Sequence, residues 1–499
     1  MNFGFFTIKH KIRLLIKYIY AKLFIHFVQL VLSMMRNIAF LLFFSVFTTN
    51  LYAGICKVEG TAPAYAGKKI VFQKFYDRIT MLEQDLFTVT VDSKGYFSGQ
   101  CELDKTCMVF AETGIYFAYF YMEPGCNYDI ILPEYIEKTK ADELNPFFEP
   151  ESVHIGIKNM KKTDLNYLIM DFDYFYDEYV DESMFEIYVK GMESDVDTFI
   201  NEIDSHFSYK GNPYFNTYKK FKYVGLRYLA YQRNRPEVAF KNLTFDSVYY
   251  ENPAYMEIFG ELYSNFFDNQ LNELIGPRLF WEVNYGHSIT NIKLLLSYWL
   301  ELQNPRLKEL AILKGIHDAF YNDNYAWTPL LLCLDSLCIV TAYPEHRVIG
   351  QNIADKVLTM AEGTVAPHFA LPDTLGDTVK LSNYRNQFVY LNFINTDSYT
   401  CQQQLELLKT IYEKHNQYFK VVSVVVDSDV AKAKRYLNAQ KYTWDFVFTG
   451  GDKTIPEYYK IVAYPSYFLV SPSGFLIYSP APGPLEGFEK AFFSLINDD

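Results

Sequence analysis

The segment that decides the fold is Phe388–Cys401, FVYLNFINTDSYTC, where an apolar strand runs directly into the start of a helix. The β-branched run that follows, Val421–Val426, is typical of a strand buried on both faces. A β-α-β core followed by a hairpin and a final helix predicts an α/β domain over residues 358–499. Its predicted elements, in chain order, are Phe388–Phe393, Tyr399–His415, Val421–Val426, Val430–Gln440, Phe446–Phe448, Ile455–Lys460, Ser466–Val470, Phe475–Tyr478 and Glu486–Ile496.

Four motifs in this region carry a family resemblance: Gly363–Asp373, Val379–Tyr384, Leu391–Thr396 and Ala463–Leu469. Over about 140 residues the region resembles the TlpA and ResA type of periplasmic thioredoxin-like protein, including the related AhpC/TSA peroxiredoxin branch. The resemblance implies a thioredoxin fold and thiol-disulfide chemistry. It also implies that the bond before Pro465 is cis and that this loop faces the redox site.

The sequence departs from the family at the residues that do the chemistry. Family members carry Trp-Cys-x-x-Cys at the start of the first helix, and the aligned residues here are Asp397-Ser398-Tyr399-Thr400-Cys401. Ser398 therefore replaces the attacking cysteine, and only the resolving position, Cys401, keeps a thiol. A serine hydroxyl has no counterpart to the low-pKa thiolate of a helix N-terminus. The charge of Asp397 is expected to raise the pKa of a nearby thiol.

Three hypotheses follow for Cys401. In the first, redox activity is lost, the domain serves binding or structure, and Ser398 caps the helix. In the second, Cys401 is a single-cysteine redox centre that works through mixed disulfides. In the third, Cys401 is peroxidatic, because peroxiredoxins place Thr or Ser three residues before their cysteine. The peroxiredoxin motif also has a Pro four residues before that position, where this chain has Ile394.

The first 53 residues have the composition of a targeting segment. They contain no Asp or Glu, and the apolar run Ile38–Phe47 follows Arg36 and precedes Ala53. This is the order of a secretory signal peptide, and the run is too short to span a membrane. Translation is expected to start at Met34 or Met35, with the mature protein beginning near Gly54 in the periplasm or cell envelope of a Gram-negative bacterium. The alternative is an uncleaved membrane anchor.

Seven cysteines give an odd count, so at least one cannot pair within the chain. They are Cys56, Cys101, Cys107, Cys126, Cys333, Cys338 and Cys401. An oxidising compartment favours pairing, but the sequence leaves the connectivity open. No pair has CxxC spacing, so we expect no zinc and no other metal or cofactor.

Two further regions precede the α/β domain. Residues 54–150 show strand patterns with Gly-containing turns and predict an antiparallel β-sandwich-like domain, similar to β-rich modules that precede thioredoxin domains in secreted bacterial proteins. Residues 151–355 show helical periodicity and no metal-ligand motif, which predicts a helical domain. The net charge of −13 argues against a nucleic-acid partner, whereas a protein thiol or envelope protein remains a candidate partner.

Overall fold

The computed structural model describes residues 54–497 except Pro146, Glu186, 188–192, 208–210 and Asn272. The described chain folds into two compact units. Of the described residues, the N-terminal unit contains 54–138 and Glu149–Val357, and the C-terminal unit contains Thr139–Phe148 and 358–497. The sequence analysis assigned 139–148 to the β domain, so its membership in the C-terminal unit is a structural finding. The proposed signal segment lies outside the described residues.

The first part of the N-terminal unit is a pair of β-sheets. The strands are β1 (Gly54–Thr61), β2 (Lys69–Phe75), β3 (Glu83–Thr90), β4 (Tyr96–Leu103), β5 (Cys107–Thr113), β6 (Tyr116–Met122), β7 (Asn127–Ile131), β8 (Glu151–His154) and β9 (Gly156–Ile157). One sheet has the order β4-β1-β7-β9 and the other β3-β2-β5-β6-β8. The expected antiparallel arrangement needs a correction, because β1 pairs with β7 and β6 with β8 in parallel.

The two sheets enclose one hydrophobic core. Alternate residues of β1 are buried, with Cys56 and Val58 fully inaccessible while Lys57 between them faces solvent. Val109 and Phe120, from the second sheet, belong to the same buried cluster. Because side chains alternate across each strand, the inner faces of both sheets supply this core, as in a β-sandwich.

The remainder of the N-terminal unit is helical. Four of its helices begin at an Asn whose side chain accepts a hydrogen bond from a backbone N–H of the first turn, namely Asn212, Asn234, Asn252 and Asn304. Proline stands in the first turn of each, where a missing N–H costs nothing. After α1 (Lys140–Leu144), which belongs to the C-terminal unit, the helices are α2 (Leu165–Phe185), α3 (Glu193–His206), α4 (Pro213–Ala230), α5 (Arg235–Asn242), α6 (Pro253–Leu262), α7 (Phe266–Asn269), α8 (Gly276–Trp281), α9 (Ile289–Leu296), α10 (Pro305–Ala319), α11 (Trp327–Val340) and α12 (Pro344–Leu358).

A buried polar network joins helices α9, α10 and α12. The Glu309 carboxylate lies 2.6 Å from Lys293 Nζ and 2.9 Å from His346 Nδ1, and it accepts a hydrogen bond from Thr341 Oγ1. The Tyr250 hydroxyl lies 2.7 Å from the other ring nitrogen of His346. Because every carboxylate oxygen of Glu309 is satisfied, the charge is tolerated in the interior.

The C-terminal unit is a five-stranded sheet with helices against it. A separate two-stranded sheet precedes it, and the elements are β10 (Ala370–Pro372), β11 (Thr378–Lys380), β12 (Phe388–Ile394), α13 (Tyr399–His415), β13 (Phe419–Val425), α14 (Val430–Gln440), β14 (Asp445–Phe448), α15 (Thr454–Tyr458), β15 (Ser466–Val470), β16 (Leu476–Tyr478) and α16 (Phe488–Asn497). The strand order of the main sheet is β14-β13-β12-β15-β16, with β12, β13 and β14 parallel and the last two strands antiparallel. This arrangement is a thioredoxin-like fold.

Central strand β12 delivers the chain to the site. Every residue of it after Phe388 is buried, and its carboxyl end passes through a short turn into α13. Functional groups in open α/β sheets lie at the carboxyl ends of the strands. Between residues 54 and 497, no helix of the described chain is long and apolar enough to cross a membrane.

Candidate active site

The site begins with the cap of helix α13. Ser398 is the N-cap residue, with extended backbone angles, and its Oγ accepts a hydrogen bond from the Cys401 backbone N–H at 3.4 Å. A serine oxygen in this position satisfies one of the free N–H groups of the first turn. Ser398 and Cys401 therefore lie together at the helix start, where the sequence places them.

The Cys401 side chain is inaccessible to solvent. Burial raises the pKa of its thiol, and the charge of Asp427 acts in the same direction, while hydrogen bonds involving the Asn395 backbone and Ser398 oppose them. The net direction is upward, so the thiol stays protonated at neutral pH. A buried neutral thiol is a poor nucleophile, because the thiolate is the attacking species.

The expectation for Asp397 needs a correction. Its carboxylate forms ion pairs with Lys140 at 2.6 Å and Lys432 at 2.5 Å, and hydrogen bonds from both lysines lower its own pKa. The carboxylate that raises the Cys401 pKa is instead Asp427, which is buried and accepts a hydrogen bond from the Thr396 backbone N–H at 2.9 Å. The charge of Asp397, the carboxylate nearest to Cys401 in sequence, is thus neutralised by two lysines that are distant in sequence.

The loop before β15 forms the other side of the site. The Tyr464–Pro465 bond is cis, as the family resemblance implies. Tyr464 and Tyr467 pack in the hydrophobic cluster that contains Cys401, and Ser466 Oγ donates to the Ala463 carbonyl at 2.6 Å. Pro465 therefore lies between Tyr464 of the loop and Tyr467 of β15, which both pack in the cluster of the buried thiol.

A cavity of about 150 Å³ lies beside these groups in the C-terminal unit. It is open to solvent, and charged side chains of both signs line it, among them the three members of the Lys140–Asp397–Lys432 cluster. Tyr464 supplies an aromatic wall, and Glu143 and Leu144 of α1 complete that side. Lys140 and Asp427 are the functional neighbours that sequence reasoning missed, since no motif links either of them to Ser398.

No metal centre is assigned to this site. In the described parts of the chain, no group of three or more His, Cys, Asp or Glu side chains is arranged to hold a metal ion. Asp427, a carboxylate close to the thiol, already accepts two hydrogen bonds from the Thr396 backbone and hydroxyl groups. The chemistry that this arrangement can offer is that of one thiol, one hydroxyl and the bordering charged groups.

The strand order, the helix-start thiol and the cis-proline loop define a thioredoxin-like domain. Residues 363–479 match the model of the AhpC/TSA family, so the C-terminal region is an AhpC/TSA family domain.

The curated relatives of this region include several proteins named thiol-disulfide oxidoreductase ResA. The chain is 29% identical over 117 residues to "Thiol-disulfide oxidoreductase ResA" of Bacillus subtilis, which covers 23% of this chain and 65% of that protein. It is 25% identical over 127 residues to the protein of the same name from Geobacillus kaustophilus, covering 25% and 72% respectively. The first match thus spans just under two thirds of the relative's length, and both matches are confined to about a quarter of this chain.

Among solved structures, a thiol-disulfide oxidoreductase from Bacteroides fragilis is 26% identical, with a TM-score of 0.24. It aligns with 26% of this chain and 99% of its own.

Proposed function

We propose that this protein is a cell-envelope member of the thiol-disulfide oxidoreductase family whose thioredoxin domain has lost dithiol exchange and acts in binding. The observation that carries the proposal is the pair Ser398 and Cys401 at the start of α13. The first residue uses its oxygen as a helix cap, and the second holds a buried thiol with a raised pKa. Reduction of a disulfide by a dithiol mechanism needs a second sulfur at the position of Ser398.

The cavity beside Tyr464 supports a binding role. It combines an aromatic wall with charged groups of both signs, which suits a polypeptide partner that offers a backbone and charged side chains. The partner that we propose is an envelope protein, including one that presents a thiol.

The test is an insulin disulfide reduction assay together with alkylation of the native protein by iodoacetamide. We expect no turnover above the rate of dithiothreitol alone, and we expect Cys401 to be labelled far more slowly than in protein unfolded by guanidinium. Peptide mass mapping assigns the label to Cys401 among the seven cysteines. Wild-type turnover that disappears in Cys401→Ala would overturn the binding proposal and favour a single-cysteine redox enzyme.

Peroxide handling is checked in the same preparation. Hydrogen peroxide should leave Cys401 unoxidised at concentrations that convert a reactive thiolate to sulfenic acid, because the protonated thiol reacts slowly. Rapid, stoichiometric oxidation confined to Cys401 would instead support the peroxiredoxin-like alternative.

We propose that the protein reaches the envelope through its first 53 residues. The basis is the acid-free, basic and apolar composition of this segment, together with its resemblance to a signal peptide. N-terminal sequencing of material purified from the envelope should give a start close to Gly54. A mature protein that retains residues 35–50 would indicate an anchor.

A further inference from the structure

Three cysteines form a row across the first sheet of the N-terminal unit. Cys56 in β1 is the direct register partner of Cys101 in β4. On the other side of β1, Lys57 pairs with Asn127 of β7, and the Lys57 backbone N–H donates to the Cys126 carbonyl at 3.3 Å. Continuing this parallel register by one residue places Cys126 beside Cys56.

All three thiols lie on the inner face of the sheet. Cys56 is inaccessible and belongs to the core cluster, and Cys101 and Cys126 are half-buried and pack against that cluster. Residues that face each other across neighbouring strands point to the same side of a sheet. The row is therefore a set of adjacent side chains, with Cys56 in the middle.

The spacing of strands decides which thiols can bond. Directly opposed residues in an antiparallel pair have Cα atoms about 4.5–5.5 Å apart, and a disulfide needs about 4.4–6.8 Å. Cys101 and Cys126 are separated by two strand spacings, about 9.5 Å, which is beyond the limit of about 7 Å. Only pairs that include Cys56 satisfy the geometry.

We propose that this row is a thiol-disulfide site in which Cys56 forms a disulfide with one flanking cysteine, Cys101 or Cys126, and leaves the other as a free thiol able to exchange. The site is independent of Cys401. It supplies the chain with a two-electron thiol couple outside its thioredoxin domain.

The oxidant is a low-molecular-weight aliphatic disulfide, R–S–S–R. The thiolate of a half-buried cysteine, Cys101 or Cys126, attacks one of its sulfurs, forms a mixed disulfide and releases RS⁻. The Cys56 thiolate then attacks the protein sulfur of that mixed disulfide and displaces the second RS⁻. The two protein thiols lose two protons and two electrons, and two molecules of RSH are formed.

Protonation controls the rate of the first step. Burial raises the pKa of Cys101 to about 11, with a smaller contribution from Cys56, and burial also raises that of Cys126. The attacking thiolate is therefore scarce at neutral pH, so oxidation should accelerate as the pH rises from about 7 towards 9.

The test uses the full chain carrying Cys401→Ala, so that the thioredoxin-domain thiol cannot contribute. Six thiols then remain of the seven. The reduced protein is incubated with oxidised glutathione, quenched in acid, alkylated in denaturant and mapped by mass spectrometry. We expect a loss of two alkylatable thiols and one crosslinked peptide pair that contains Cys56.

Variants at Cys101 and Cys126 test the pairing without replacing Cys56, whose side chain is buried in the core. Cys101→Ser should direct the disulfide to Cys126, and Cys126→Ser should direct it to Cys101. The double variant Cys101→Ser/Cys126→Ser keeps the buried Cys56 and should form no disulfide. Cys107→Ala is the matched control, because Cys107 lies in the opposite sheet of the same core, and it should leave the product unchanged.

Two results would overturn the proposal. One is a disulfide that omits Cys56, such as Cys101 to Cys107. The other is stable glutathionylation of the flanking cysteines with no internal crosslink, since this would show that Cys56 cannot reach the mixed disulfide. Neither result bears on the role proposed for Cys401, which the alkylation and insulin assays test separately.

Discussion

At position 398 the serine side chain presents an oxygen, and a cysteine at the same position would present a sulfur to the same N–H groups in the first turn of α13. For serine the outcome is a hydrogen bond from the Cys401 backbone at 3.4 Å. For cysteine it would be a thiolate stabilised by the helix dipole. The structure around position 398, including the helix start and the cis Tyr464–Pro465 bond, would be the same with serine or with cysteine.

The first prediction is that Ser398→Cys gives measurable insulin reduction. The new thiol lies at the helix N-terminus, three residues before Cys401, so the two can form the internal disulfide of a dithiol cycle. The loss of the serine cap should cost about 1 kcal/mol of the free energy of unfolding, which chemical denaturation measures.

The control for this prediction is Ser398→Cys/Cys401→Ala, which should lose the turnover. A normally folded Ser398→Cys protein that forms no disulfide with Cys401 would contradict the alignment of these two positions with the family motif.

Whether a residue of the site could be predicted from the sequence depends on how far it lies from its partners along the chain. Ser398, Cys401 and Pro465 were predicted from motifs, because each lies inside a contiguous stretch of sequence that resembles the family pattern. Lys140 could not be predicted in this way, since 257 positions separate it from Asp397 and only the fold brings the two together. The same holds for Asp427, whose bond to Thr396 crosses between neighbouring strand ends.

Among the elements, those with a complete local signal were predicted best. Helices α13 and α14 and strand β15 have the bounds that their periodicity predicts. The apolar periodicity of residues 291–302 predicts one continuous helix, but α9 ends at Leu296. Side chains compete with the helix there: Ser297 Oγ donates to the Lys293 carbonyl, and Gln303 donates to the carbonyls of Ser297 and Trp299. Such bonds offer the backbone an alternative to a further turn.

The second prediction concerns the Asn caps of the helical region. Asn304 Oδ1 accepts bonds from the backbone N–H groups of Arg306 and Leu307, and its Nδ2 donates to the Asp246 carbonyl at 3.1 Å. Asn304→Ala removes both the cap acceptor and the hydrogen bond to the Asp246 carbonyl, so it should lower the free energy of unfolding by about 1–2 kcal/mol.

Asn304→Asp is the matched control for that substitution. The Asp side chain keeps the acceptor at the helix start and loses only the donor. In a urea titration, the loss of unfolding free energy relative to wild type should therefore be less than half of the loss caused by Asn304→Ala. An Asp variant as unstable as the Ala variant would assign the effect to the Asp246 contact rather than to the cap.

At the scale of the whole molecule, we expect Glu309 to contribute to the dependence of stability on acid pH. Burial opposes its ionisation, but hydrogen bonds from His346, Lys293 and Thr341 outweigh that cost and lower its pKa to about 2. Since the folded pKa is below the ordinary value of 4.5, the carboxylate stabilises the folded state above that value. This contribution is lost as the pH falls from 4.5 towards 2.

The third prediction is that Glu309→Gln destabilises the protein by about 3 kcal/mol at neutral pH, because it leaves the partly buried ammonium group of Lys293 without its anion. The variant should also lose the part of the stability decrease that lies between pH 4.5 and pH 2. Thermal unfolding at a series of pH values measures both effects.

Glu301→Gln is the control for the pH profile. Burial raises the pKa of Glu301 above 4.5, so its ionised form destabilises the folded state, and its removal should be neutral or slightly stabilising at neutral pH. A Glu301→Gln profile that resembled that of Glu309→Gln would show that the acid dependence is not specific to the buried network.

The membership of helix α1 in the C-terminal unit has a consequence for synthesis. The ribosome makes Lys140 257 residues before Asp397, and at about 5–20 residues per second that delay is roughly 13–50 s. Throughout this interval the carboxylate that Lys140 binds has not yet been made. The ion pair between Lys140 and Asp397 can therefore form only after translation has passed position 397.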